Sequence, residues 1–153
     1  ISAGRNPATV FEQPRPGALP VLSGRSVDGR HVHRWADPDS GVLAAPGDVA
    51  VVEVGLRGRA AVVTEPAIAG TGVMLLKPHD RSHGQKLAAY LRSEPAQTLR
   101  GMLITGNIPR LSRRNLAQLP VPEDALANQV DVPSQQSASP VQLSEQLEQL
   151  LWN

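Results

Sequence analysis

Thirteen arginines and two lysines carry all the fixed positive charge of this 153-residue chain, and all lie between Arg5 and Arg114. That stretch holds nine acids, whereas Asn115 onward holds five acids and no Lys or Arg. A near-neutral total therefore joins a basic body to an acidic tail, and the two should do different work. The planar guanidinium fork suits phosphate oxygens and the O6/N7 edge of guanine. A GC-rich genome also enriches arginine, but that does not explain why the charges segregate. Four cationic groups are candidates for contact with nucleic acid. Arg110, Arg113 and Arg114 adjoin Thr105-Gly106-Asn107, whose glycine lets a partner approach the backbone closely. Arg57 and Arg59 flank a turn, and Lys77, His79, Arg81, His83 and Lys86 surround a Pro-Asp step. Arg25, Arg30, His31, His33 and Arg34 form the polar part of an irregular N-terminal region.

Other chemistries find little support. The chain has no cysteine, which removes disulfides, thiolate-zinc sites and thiol nucleophiles together. His31 and His33 share a face if their segment is a strand, yet no His-Glu-x-x-His pattern accompanies them. His79 and His83 are separated by four positions between Pro78 and Gly84, a poor setting for a helical metal pair. The acids are dispersed, with Asp37 and Asp39 flanking Pro38 as in a turn, and no phosphate-binding glycine loop is present. No metal, cofactor or catalytic residue is expected. Ile1 stands where an initiator methionine would, with neither a signal-peptide layout nor a membrane-length apolar run. The expectation is an excised part of a larger cytoplasmic protein.

The elements that must hold the arginines can be read from periodicity and punctuation. Five prolines between Pro7 and Pro38 break up the first forty residues, leaving room for a short strand at Leu19–Leu22 and a small hairpin around Asp28-Gly29. Gly47-Asp48 leads into a β-branched strand from Val49 to Val54, Gly55 to Gly58 turns, and Arg59 to Thr64 returns. A third strand, Val73 to Lys77, carries a continuous run of Val, Met and Leu and should be buried on both faces. Leu87, Tyr90 and Leu91 define one face of a helix from about Gln85 to Arg92. Ser93 should cap a second helix, with Leu99, Met102 and Leu103 inward and an end before Gly106. A short strand at Ile108–Leu111, a capped turn at Ser112–Leu116 and an extended Leu119–Pro122 follow. After a Gln-, Ser- and Pro-rich linker, Ser139-Pro140 opens a helix striped by Leu143, Leu147, Leu150 and Leu151.

This order of motifs resembles the target-recognition domain of type I restriction-modification specificity subunits, a module also fused to some adenine-N6 DNA methyltransferases. The likeness spans roughly residues 1–122. It is carried by Ile1 to Pro7 before Leu19-Pro20-Val21-Leu22, by Gly47-Asp48-Val49-Ala50-Val51 and by Tyr90-Leu91-Arg92-Ser93. Its most specific part is Gly106 to Ser112 followed by Leu116 and Leu119-Pro120-Val121-Pro122. The glycine-rich cofactor loop and Asn/Asp-Pro-Pro-aromatic motif of the methyltransferase partners do not occur here. Two departures are a long linker before the last helix and a single recognition domain, where a full subunit carries two.

The reading is an α+β fold, a twisted and mostly antiparallel sheet with helices on one side plus a C-terminal helix. Residues 1–122 would recognise double-stranded DNA, 123–139 would link, and 140–153 would form an assembly helix. The resemblance implies a DNA methyltransferase, as separate subunit or fused domain, as the catalytic partner, with a translocating nuclease as a further candidate. Dimerisation through the C-terminal helix is a further expectation. The competing reading is a protein-binding scaffold that never touches DNA.

Overall fold

The computed structural model describes residues 1–55, 58–104 and 108–127. The expected helix over 140–153, together with Arg57, Thr105 and Asn107, lies outside the described residues. Nine strands and four α-helices are formed within them. The strands are β1 (Ser2–Ala3), β2 (Val10–Phe11), β3 (Leu19–Leu22), β4 (Trp35–Ala36), β5 (Val42–Ala44), β6 (Val49–Val52), β7 (Ala60–Val62), β8 (Ala67–Ala69) and β9 (Val73–Leu76). The helices are α1 (Gly84–Arg92), α2 (Glu94–Leu103), α3 (Arg113–Leu116) and α4 (Glu123–Ala127), with a 3₁₀ turn at Arg81–His83.

The α+β class is as expected, but the strands divide between two sheets. One has the order β1-β9-β6-β7 and is wholly antiparallel. The other has the order β2-β4-β3-β8-β5, with β3 and β8 parallel. The first sheet is the middle layer. Alternation along its central strands sends Ala50, Val73 and Leu75 toward Leu22, Ala44, Ala67 and Ala69 of the second sheet. The intervening Val49 and Val51 meet Ala88 and Leu91 of α1, while Met74 meets Leu111 and Leu116. Both central strands are therefore buried on two faces, which explains their unbroken apolar runs. Small side chains on β5, β7 and β8 let the layers close without aromatic filling.

Gly47-Asp48 does more than start a strand. Gly47 has φ +92°, a conformation that favours glycine. The fully buried Asp48 accepts from the Ala45 N–H at 2.9 Å and ties the turn across itself. α1 then runs alongside β7 and β6, from Gly84 beside Gly47 to Arg92, whose guanidinium donates to the Ala60 carbonyl at 3.3 Å. The exit segment returns along α1: the Tyr90 hydroxyl donates to Pro120 O at 2.7 Å and Lys86 Nζ to Leu126 O at 2.5 Å. The first residues of the expected linker thus form α4 against α1.

Four local expectations change. No hairpin forms at Val27–Val32; the Asp28-Gly29 turn is present, but Val27 is buried in the core instead of pairing in a strand. Ile108–Leu111 makes only a single bridge, Val54 with Arg110, in place of a strand. α2 buries Ala96, Gln97 and Arg100, while Met102 is 75% exposed. Leu99 and Leu103 pack inward as expected, and the helix is turned so that two polar side chains, and not Met102, join them against the β6–β7 hairpin. Ser93 precedes α2 as expected, yet its hydroxyl donates back to Tyr90 O instead of capping. Ser112 does cap α3, accepting from the Asn115 N–H at 3.1 Å.

Candidate nucleic-acid interface

The connections at one end of the sheets converge on the β6–β7 hairpin. Glu53 N–H donates to Gly72 O at 2.8 Å, joining the hairpin to the β8–β9 turn. Gly70 N–H donates to Leu22 O, which brings in the end of β3. The N-terminal segment reaches the same turn, with Arg5 N–H on Ala69 O and Asn6 hydrogen-bonded to Thr71 at 3.0 Å. On the other flank, Gly55 N–H donates to Pro109 O and Leu111 N–H to Glu53 O. Segments far apart in sequence thus surround one hairpin.

This arrangement unites three of the four cationic groups. Arg59 donates to Gly24 O at 2.9 Å and to Arg25 O at 2.5 Å, and stands 4.0 Å from the Asp28 carboxylate. Asp28 also accepts from the Arg30 N–H at 3.0 Å, so the hairpin grips the loop carrying Arg25 and Arg30. His31, His33 and Arg34 continue that loop, all exposed, until Val21 N–H pairs with Arg34 O. His31 has φ +54° and is the non-glycine residue with positive φ among the described residues. Strain of that kind gathers at functional loops. Arg110 pairs with Glu53 across the bridge at 3.1 Å, and Arg113 and Arg114 are exposed on the helical turn that follows.

Lys77, Arg81, His83 and Lys86 lie at the other end of β6. At about 3.3 Å of rise per residue, Asp48 and Gly55 are roughly 20 Å apart. Lys77 Nζ donates to Asp48 at 3.0 Å and Arg81 Nη1 lies 3.5 Å from its second oxygen. That oxygen is buried without a hydrogen bond, so the two cations are what offsets the buried charge. Arg81 also donates to Pro46 O at 2.5 Å. His83 is 3.7 Å from Asp80, and Lys86 holds α4. Asp80 accepts from both the hydroxyl and the N–H of Ser82, which holds its carboxyl below the ordinary aspartate range. These cations each meet an acceptor of the protein's own, as Arg59 and Arg110 do at the hairpin end.

Two supporting residues escaped sequence reading. Arg100, 3% exposed, donates through Nε to Gly55 O at 3.3 Å and through Nη2 to Glu53 O and Gly55 O at 3.2 Å. Burial lowers its pKa from the usual arginine value. Gln97 accepts from Gly58 N–H at 3.1 Å and donates to Gly58 O at 2.8 Å and Leu91 O at 2.9 Å. Together they fasten α2 to the hairpin backbone. The only cue was their spacing of three on a helix, which puts both side chains on one face.

Among the described residues no group of three or more His, Asp and Glu side chains gathers as a metal site. None of the described helices is long and apolar enough to cross a membrane.

No family model and no curated protein matches the chain. Solved structures do. A chain from a study of complex assembly and conformational transition in the type I R-M (restriction-modification) system aligns with 98% of this chain at a TM-score of 0.53 and 20% identity. The HsdS subunit from Thermoanaerobacter tengcongensis aligns with 97% at a TM-score of 0.45 and 21% identity. This chain spans 36% and 40% of their respective lengths. The nine-stranded, α-flanked architecture is therefore a fold shared with a chain of a type I R-M system.

Proposed function

We propose that this chain is a non-catalytic, sequence-specific DNA-recognition domain that directs a restriction-modification adenine methyltransferase to its target. The observation that carries the reading is the convergence of arginine-bearing loops on the β6–β7 hairpin at one end of the sheets. Arg25, Arg30, Arg59, Arg110, Arg113 and Arg114 come from three separate stretches of chain, and loops held by rigid strands are where binding residues concentrate. The shared fold with a type I R-M system chain points the same way. Exposed arginines would neutralise phosphates, and a few side chains would read base edges. The methyltransferase would be a partner subunit or a fused domain, in the cytoplasm.

The test is duplex binding as a function of salt, on the chain alone and with its methyltransferase partner, using a randomised duplex pool. About four phosphate contacts imply affinity falling on the order of a hundredfold between about 50 and 200 mM salt. Replacing Arg110, Arg113 and Arg114 together should weaken binding and leave the circular dichroism spectrum unchanged. Binding indifferent to salt, or none with the partner present, would favour the protein-scaffold reading.

A further inference from the structure

We infer that Glu53 is a positioning residue that converts Arg110 from a general phosphate contact into a reader of one guanine; this rests on the DNA-recognition reading above. Val54 and Arg110 form an antiparallel bridge flanked by the Gly55 N–H to Pro109 O and Leu111 N–H to Glu53 O bonds, 2.9 and 2.8 Å long. Two such bonds outside the pair mark the non-hydrogen-bonded type of site, where backbones approach most closely and facing side chains stand side by side. The base of Arg110 is thus held on two sides. Arg100 holds the opposite strand from beneath, through Glu53 O and Gly55 O.

The side chain is held as well. Glu53 Oε1 lies 3.1 Å from Arg110 Nε, with Glu53 23% and Arg110 62% exposed. The ion pair is at Nε, and neither terminal nitrogen forms a hydrogen bond recorded among the described residues. Those two donors have the separation that a guanine O6/N7 edge accepts. The carboxylate also cancels much of the arginine charge, so the pair adds little to sequence-independent phosphate attraction. What remains is direction. Arg113 and Arg114, exposed with no acid paired to them among the described residues, keep the complementary task of phosphate contact. Exposed Val54 and Ile108, 43% and 68% accessible, flank Arg110 with apolar surface and offer no competing donors.

The division of labour yields effects of opposite sign from one substitution. Glu53→Gln keeps the backbone bonds and side-chain shape but removes the anion. Non-specific affinity and salt dependence should rise, while preference for the selected site over the random pool should fall by about tenfold or more. Arg110→Lys keeps the charge but loses the fork, so non-specific affinity should hold while the preference falls likewise. In the selected site, replacing one guanine by 7-deazaguanine, which lacks N7, should weaken the parent chain and add nothing in Arg110→Lys. The inference is overturned if duplex binding is salt-dependent yet Glu53→Gln leaves preference unchanged. It is also overturned if no 7-deazaguanine position is silent in Arg110→Lys. The absence of salt-dependent duplex binding would instead overturn the DNA reading beneath it.

Discussion

Replacing Arg100 by methionine tests whether a buried cation holds the hairpin on which the arginine cluster is built. The guanidinium makes three hydrogen bonds to two carbonyls, at 3.2 and 3.3 Å. Glu53 O keeps its bond from Leu111 N–H when the arginine goes, so the loss falls chiefly on Gly55 O. Charged donors contribute about 1.5–3 kcal/mol per bond, but these lengths lie at the long end of the range. Two effective bonds at about 1.5 kcal/mol each give roughly 3 kcal/mol of destabilisation. Removing a charge from a buried site returns part of that, and burial does work against this arginine's charged form. Methionine fills most of the space, so the cavity contribution is small. The net expectation is a loss of about 2 kcal/mol. In urea unfolding, with a slope of roughly 2 kcal/mol/M for a chain of this size, the midpoint should fall by about 1 M at unchanged slope. Amide exchange at Gly58 should quicken as the hairpin loosens. An unchanged or raised midpoint would overturn the proposed role of Arg100, because it would mean that the desolvated charge costs as much as its carbonyl bonds return.

Three further outcomes follow from the same geometry. A Cβ at Gly58 would overlap the Arg100 guanidinium, so Gly58→Ala should destabilise the parent clearly and the Arg100→Met background much less, as urea midpoints would show. Lys77→Gln should cost about 1–2 kcal/mol: it strips the nearer cation from a buried carboxylate, though Lys77 is itself 45% exposed and Arg81 remains. Its DNA affinity should be unchanged, and a loss of affinity without loss of stability would make Lys77 a DNA-binding residue instead. Asp80, with a depressed pKa, stabilises the fold above the ordinary aspartate value near 3.9, and that contribution disappears as pH falls through its lowered folded value. The stability gap between the parent and Asp80→Asn should therefore be present at about pH 5 and close as pH falls below about 4. A gap that persists or widens below about pH 4 would contradict this.

Legibility in the sequence followed the length of each signal. Val49–Val52 and Val73–Leu76 were readable because a strand buried on both faces must be apolar throughout, and α1 because Leu87, Tyr90 and Leu91 repeat at helical spacing. Of the second sheet, Leu19–Leu22 was readable and the rest was not. Val10–Phe11, Trp35–Ala36, Val42–Ala44 and Ala67–Ala69 are two or three residues long, too short for any period to show, and exist by pairing with distant strands. The cationic groups could be found one by one, but nothing local says that Arg59 reaches Gly24 or that Arg110 faces Glu53. The same blindness hid Arg100, which looks like a solvated helix residue until the hairpin covers it. It also hid the pairing of Lys77 and Arg81 with the buried Asp48, which lies some thirty positions upstream.

If the chain reads DNA as proposed, the duplex lies across the hairpin end and not across the Asp48 end, roughly 20 Å away. The slope of log affinity against log salt, measured on duplex DNA for paired variants at opposite ends, separates the two placements. Arg113→Gln with Arg114→Gln should reduce the magnitude of the slope by about 2, close to 0.9 for each phosphate left without its cation. Arg81→Gln with Lys86→Gln, checked to be folded, should leave it where the parent has it. A slope diminished by the second pair and untouched by the first would put the DNA at the Asp48 end and contradict the assignment.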